Sequence, residues 1–595
     1  MKTIRVSKKL LSKYKTIQQA LSAASDGDTI QLEAGRYKES LVIDKSVALI
    51  GLEEPEEIML KGYIRIIEQA DVQLKNVTLE ENPAGLILEE GHLVVSHCYF
   101  TKIKDYAIDV HDKGHLDLHD ATIRHCGIGL RVSGRARVEY CALYGQTHTQ
   151  IRVAKQGRLI VKHSHIYQGD EAAFRFDGNS RSLLENCQIY AHHHPDCSQL
   201  MVADTSEVYL RESTLYESTT GGITVTGGKC SLSKCKLTDN TPQQVYVAKG
   251  MAIIQNSLLE QAKTAVHVDD DGELFLERTV VSEHQDHQIV VENGTARLFQ
   301  STIKLGGKSG LSTSFESNVS IEACDVFGHH LPQVAASERA QLLMRHSAIY
   351  EGSHYGMWLT EAAKASVEHC RFFDNQLNQI VVVDKSYADL HDVTVYEGGQ
   401  SGIYMLDESS AMITNSSVYR HHDHYPQIYI ANDAAPTLRD CYIYDSYESG
   451  IRFQNKGQGL IEHCEFSGHF EAQVDIQSES TPTIRECIIR SGGTSALRMI
   501  DAGGFIENCS FEDHENNIII SGSCTAEIIG AEADALRQYE EAMETAAHED
   551  EGDQLSKEEM ELALQRAQEV AEREERTSEI VGLVEQLEER LGRKP

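Results

Sequence analysis

The apolar and polar positions of this chain fall into one recurring frame. In LIEHCEFSGHFEAQVDI, Leu460 to Ile476, an apolar residue, two polar positions, a Cys, one further position and an apolar residue lead into a polar stretch. A Gln and an apolar-x-apolar triplet close the unit. The Cys position is filled in turn by Val77, Cys98, Ala121, Cys141, Ser164, Cys187, Ser213, Cys235 and so on to Cys464, Cys487 and Cys509, 20 copies spaced by 20 to 26 residues. A short period with a small or apolar residue in one fixed position is the signature of a solenoid. Val, Ile and Tyr are concentrated in the units, so they predict strands, two readable ones per rung. In the second strand, as in Ile151-Arg152-Val153 or Val474-Asp475-Ile476, the outer residues point inward and the middle one outward. Stacked at the usual strand spacing, 20 rungs predict a rod about 95 Å long.

The ends differ from the array. Residues 1–51 read as an N-terminal cap with the first rungs. Ile17, Ala20, Leu21 and Ala24 predict a short amphipathic helix over 14–24, covering the open end of the first rung. Residues 52–530 are the β-helix proper. Residues 531–595 carry 20 Asp or Glu against 8 Lys or Arg and predict an acidic helical tail, with Ser556 and Glu559 as a capping box. Ile580, Val584, Leu587 and Leu591 form an apolar seam that either folds back on the last rung or pairs with a helical partner or a second chain.

A slower rhythm overlies the first. Just before the apolar-x-apolar strand, Gln199, Gln244, Gln288, Gln333, Gln379, Gln427 and Gln473 alternate with Gly222, Ala265, Gly310, Gly356, Gly402 and Gly450. A position upstream alternates in step, with His192, Asn240, His284, His329, Asn375, His421 and His469 on the Gln rungs. The true repeat is therefore two rungs. Its expected meaning is volume, a small residue leaving room for the neighbouring amide to reach backbone groups. A binding site duplicated every two rungs is the alternative.

Composition changes this picture in three ways. A net charge of −36 argues against nucleic acid as partner. Ten of the 14 cysteines occupy the recurring position and no Cys-x-x-Cys occurs, which predicts a ladder of core thiols in a reducing, cytoplasmic setting. The first residues contain no apolar core of a signal peptide, and no run of 18 apolar residues predicts a membrane span.

The segment IQQALSAASDGDTIQLEAGRYKESLVIDKSVALIGL resembles the N-terminal portion of the pectate-lyase-like superfamily, and the later units are similar to its parallel β-helix repeat. The resemblance implies an all-β, single-stranded, right-handed parallel β-helix over about residues 14–530. It also implies a substrate groove along the outward stripe of the second strand. Its functions range from lyases, hydrolases, esterases and epimerases to phage tailspikes and non-enzymatic recognition modules.

On that stripe, Trp358, Tyr404, Tyr429, Arg452, Asp475 and Arg498 form the section best suited to ligand binding. The aromatics suit stacking on a sugar ring or extended peptide, and the arginines suit carboxylates. Rung-to-rung stacking would give the same stripe. A second column, from Tyr144 to Tyr216 and from Phe327 to Tyr444, predicts an aromatic stack on the rod surface. The histidine runs at 192–194, 329–330 and 421–424 lie several rungs apart without a shared acidic partner, and Asp269-Asp270-Asp271 reads as a turn, so no metal or other cofactor is expected. No catalytic residue is assigned, because Asp109 and Asp475 lack an acidic mate one rung away on the stripe. The expectation is a non-enzymatic recognition or scaffold rod for an extended protein or glycan. The alternative is a calcium-dependent polysaccharide lyase or other carbohydrate-active enzyme. A phage or surface fibre is a third reading.

Overall fold

A computed structural model of the chain describes residues 2–422 and 424–530, together with Tyr539 and Met543. One rung begins at Ile151–Val153, whose burial alternates in-out-in on the first face of the rod. The chain bends into Arg158–Lys162, a second face with Leu159 and Val161 inward, then into His165–Tyr167, a third face with Ile166 inward. Each strand lies parallel to its equivalent one rung on, with Ile151 opposite Phe174, Leu159 opposite Ser182 and Ile166 opposite Ile189. About 23 rungs stack in this way. At the parallel-strand spacing that is a length of about 110 Å.

The rung thus has three strands, not the two expected from sequence. The second-face strand is blurred because its solvent side carries apolar groups such as Ile160, Ile253 and Phe275 among the polar ones. First and second faces merge into one sheet where Leu86–Ser96 and Tyr106–His119 run through the corner unbroken. A single hydrophobic core extends from Ile4 to Ile528.

The corner between second and third faces accounts for the 20-fold position. At all 20 copies the preceding residue, from Asn76 to Asn508, has φ between 46° and 54°, although none is glycine. This left-handed conformation turns the chain sharply. It also lifts the next backbone N–H out of the ladder. The side chain one rung on receives it: Cys141 N donates to Ser164 Oγ at 3.1 Å, Cys187 N to Ser213 Oγ at 3.1 Å and Cys235 N to Ser257 Oγ at 3.0 Å. Where the receiver is a thiol the bond lengthens, Ser301 N to Cys324 Sγ at 3.4 Å and Ser347 N to Cys370 Sγ at 3.5 Å. A buried position needing a small side chain with an acceptor at γ selects Cys, Ser or Thr. All 14 thiols are free, and all but Cys197 are buried.

At the N-terminus the helix is Ile17–Ala23, capped by Thr16 and burying Ile17, Ala20 and Leu21. It is the one α-helix with assigned ends among the described residues. The outermost layer is a strand, Thr3–Val6, paired in parallel with Asp28–Leu32, so the sheet edge there is not covered by the helix as expected. Pairing then continues from Asp28–Leu32 to Val47–Gly51 to Asp71–Lys75 with no break at residue 52. At the other end Tyr539 and Met543 pack against the core, and the Tyr539 hydroxyl donates to Ala526 O. The rest of the tail expected to be helical over 531–595 lies outside the described residues.

Candidate functional site: the outward stripe of the first face

Strand register places the stripe residues in one column. Trp358 stands beside Val381, Val381 beside Tyr404, Tyr404 beside Tyr429, Tyr429 beside Arg452, Arg452 beside Asp475 and Asp475 beside Arg498. Trp358 is 36% exposed. Tyr404 and Tyr429 are half-buried and stacked, with centroids 5.0 Å apart and planes at 10°. The Tyr429 hydroxyl donates to Gln454 Oε1 at 2.9 Å.

Beyond Tyr429 the charges are already engaged. Arg452 Nε donates to Asp475 Oδ2 at 2.7 Å and its Nη2 to Glu448. Arg498 donates to both Asp475 oxygens, at 3.1 and 2.7 Å, and to Glu471 at 3.1 Å. Gln477 Nε2 adds a further bond to Asp475 at 2.8 Å. Burial of Asp475 opposes its ionisation, yet the Arg498 hydrogen bond and both guanidinium charges outweigh it and hold the carboxyl below its ordinary value. Two arginines locked on a central buried carboxylate are not available to grip a ligand's carboxylates.

The structure also assembles a group that the sequence reading missed. The residue after each apolar-x-apolar triplet points outward as well, one pleat along, and forms a second column. There Asp269 and Glu292 stand on adjacent rungs, with His267 Nε2 3.0 Å from Glu292 Oε2 and the Tyr246 hydroxyl 3.3 Å from Asp269 Oδ2. The charge of Asp269 and burial both push the Tyr246 hydroxyl up, burial foremost. The sequence signal is present in VHVDDD and VVEN, but the apolar-x-apolar alternation marks only the middle position of each triplet as outward.

Other residues singled out in sequence have inward roles. All seven ladder glutamines are buried. Gln199 Nε2 reaches Tyr216 O on the next rung at 2.9 Å and Asn240 Oδ1 two rungs on at 2.7 Å. Gln244 reaches Glu260 O at 2.6 Å, and Gln427 reaches Asp445 O at 3.2 Å. Gln333, Gln379 and Gln473 turn back to the carbonyls of His329, Asn375 and His469. The side-chain amide of Gln288 makes no hydrogen bond among the described residues. The intervening glycines leave the space for this: a Cβ on Gly306 would lie 2.5 Å from Gln288 Nε2, and one on Gly352 would overlap Gln333 Nε2.

The first histidine of each run, His192, His329 and His421, is buried, whereas His193, His330 and His422 are exposed. Burial lowers His192, His284, His329 and His469 to about 4 and His421 to about 3, so all are neutral near pH 7. The aromatic column lies on the third face, with Tyr144, Tyr167, Tyr190 and Tyr216 stacked 4.7–5.0 Å apart. From Phe327 to Tyr444 the stack resumes at 4.6–5.3 Å. Rings in parallel at rung spacing stabilise the sheet they stand on.

The family model described as right handed beta helix region matches residues 110–258, 245–391 and 378–533, more than half of the chain. The chain belongs to the right-handed β-helix family. This β-helix protein matches no curated protein sequence. Among solved structures it is similar to the PL6 family alginate lyase AlyGC, at 9% identity and a TM-score of 0.30 over 89% of this chain and 100% of the lyase. It is also similar to XylC in complex with xylose, at 9% identity and a TM-score of 0.28 over 58% and 86% of the two chains. ORF18 of Geobacillus virus E2 shares 14% identity at a TM-score of 0.28, the match spanning 47% of this chain and 59% of the viral one. At these values the likenesses inform neither substrate nor activity.

Proposed function

We propose that this β-helix is a non-enzymatic recognition or scaffold rod whose first face binds an extended protein or glycan. One observation carries the reading. From Trp358 to Arg498 the groups able to do acid–base work are bonded to one another around Asp475, while the aromatic groups of Trp358, Tyr404 and Tyr429 lie at or near the surface. Such a face offers stacking and apolar contact over several rungs rather than an acid and a base poised at one bond. The free thiols fit a reducing, cytoplasmic compartment. The segment 531–595 is assigned the coupling role, to a helical partner or a second copy. Nucleic acid and membrane are not proposed as partners; no described helix is long and apolar enough to cross a bilayer.

Glycan and peptide arrays probed with the full chain test this. Binding should occur without turnover and fall at least tenfold in Trp358→Ala, whose ring is partly exposed and whose loss leaves the thermal transition in place. Equal array binding by that variant would refute the assignment of the face.

The calcium-dependent lyase or other carbohydrate-active enzyme is kept as a second reading because Asp269 and Glu292 set two carboxylates on neighbouring rungs beside His267 and Tyr246. It requires a calcium-dependent rise in unsaturated-product absorbance on uronate polymers, abolished in His267→Ala.

A further inference from the structure

The second face carries a group apart from the stripe. Leu86–Ser96 and Tyr106–His119, the two longest strands described, pair with His92 directly opposite His115. The ring centroids are 4.8 Å apart, but the planes are tilted by 36°, unlike the near-parallel rings of the third-face column. Both imidazoles address one carboxylate. His92 Nε2 lies 2.9 Å from Asp117 Oδ2, and His115 Nε2 lies 3.9 Å from Asp117 Oδ1. The three ligating atoms fall within 4.8 Å of one another.

We infer that His92, His115 and Asp117 form a surface site for a borderline divalent cation of the zinc class. Nitrogen and oxygen ligands held tetrahedrally around zinc sit about 3.4 Å apart for bonds near 2.1 Å. His92 Nε2 lies 2.9 Å from Oδ2 of Asp117 and His115 Nε2 lies 3.9 Å from Oδ1, and with the whole set inside 4.8 Å side-chain rotation brings the three groups onto one ion. On the far side of the His92 ring, Asp71 Oδ1 lies 3.9 Å from Nδ1, beyond hydrogen-bond distance, and rotation of this exposed side chain brings a carboxylate to the ring's other nitrogen.

Asp117 and Asp71 together supply the two negative charges that match a divalent cation. The neighbouring cations do not block the site: Arg137, in register with Asp117, is tied to Glu139 at 2.7 Å, and Arg135, in register with His115, is exposed. Two imidazoles favour zinc, copper or nickel over calcium. The ligands stand on paired strands, so the site is preorganised, and its partial exposure leaves a coordination position open.

The test uses the full chain stripped with a chelator, in a Cys197→Ser background to remove the one thiol that is not buried. Zinc alone is titrated by calorimetry and by competition with a chromophoric chelator. His92→Ala and His115→Ala should each lose one equivalent relative to the parent, Asp117→Asn should bind at least tenfold more weakly, and Asp71→Asn should weaken binding severalfold. Saturating zinc should raise the thermal transition of the parent but not of the histidine variants. His115→Gln serves if the alanine variant does not fold. Absence of zinc binding in the parent, or unchanged stoichiometry and affinity in both histidine variants, would overturn the assignment.

Discussion

At the scale of the residue, the molecule is governed by small polar groups closed inside an apolar rod. The buried histidines are the clearest case. Each has a folded value of about 4 or below against 6.5 when unfolded, so the unfolded chain takes up protons first as pH falls. Their stabilising effect is complete above about 6.5 and is lost toward 4, each costing up to about 1.4 kcal/mol per pH unit in that window. The urea midpoint should fall accordingly between those limits, and His421→Asn should flatten the dependence, since Asn240 and Asn375 already fill the same position. An unchanged slope would remove these groups from the acid sensitivity. Thiol chemistry follows from the same enclosure. Burial pushes Cys187, Cys324 and Cys370 up to about 11, whereas Cys197 is half-exposed. A thiol-reactive dye should label Cys197 in the native state well before the core cysteines, and Cys197→Ser should abolish the fast phase. On the stripe, Asp475→Ala leaves Arg452 and Arg498 facing each other with no shared carboxylate. A loss of about 2–3 kcal/mol is expected, read as a lower denaturation midpoint.

At the scale of the element, much of the third face and the inward triplet of the first could be read directly, because one apolar residue in a fixed position recurs whatever lies between. The second face could not. Its outer side holds groups such as Ile160 and Ile253, which erase the two-residue alternation that marks a half-buried strand. The positive-φ corner was equally hidden, since residues as different as Asn76, Tyr140, Lys234 and Ala323 adopt it. What showed in sequence was its consequence, the Cys, Ser or Thr that receives the displaced N–H. The six stripe residues were legible as one column. Their ion pairing was not, because Glu448 and Glu471 enter from the turns rather than from the triplets. The His92–His115–Asp117 group was missed for a related reason: His115 and Asp117 share a strand, but His92 lies one rung earlier and joins them only through the register of two long strands.

At the scale of the whole molecule, the two ends are the vulnerable surfaces, because a stacked rod leaves its last layer without a neighbour. Tyr539 and Met543 cover part of one end, and Tyr539 bonds to the final strand. The double substitution Tyr539→Ala with Met543→Ala should lower the onset of thermal aggregation while leaving the strand signal in circular dichroism almost unaltered. An identical onset would show that this contact does not protect the end.

The alternation of large amides with glycine or alanine gives the rod a parity. Excising a single rung of about 23 residues would bring two bulky layers, or two empty ones, face to face. Excising a pair of rungs would restore the sequence of full and vacant layers. The protein can therefore be lengthened or shortened cleanly only in steps of two, like a zip whose teeth come in unlike pairs.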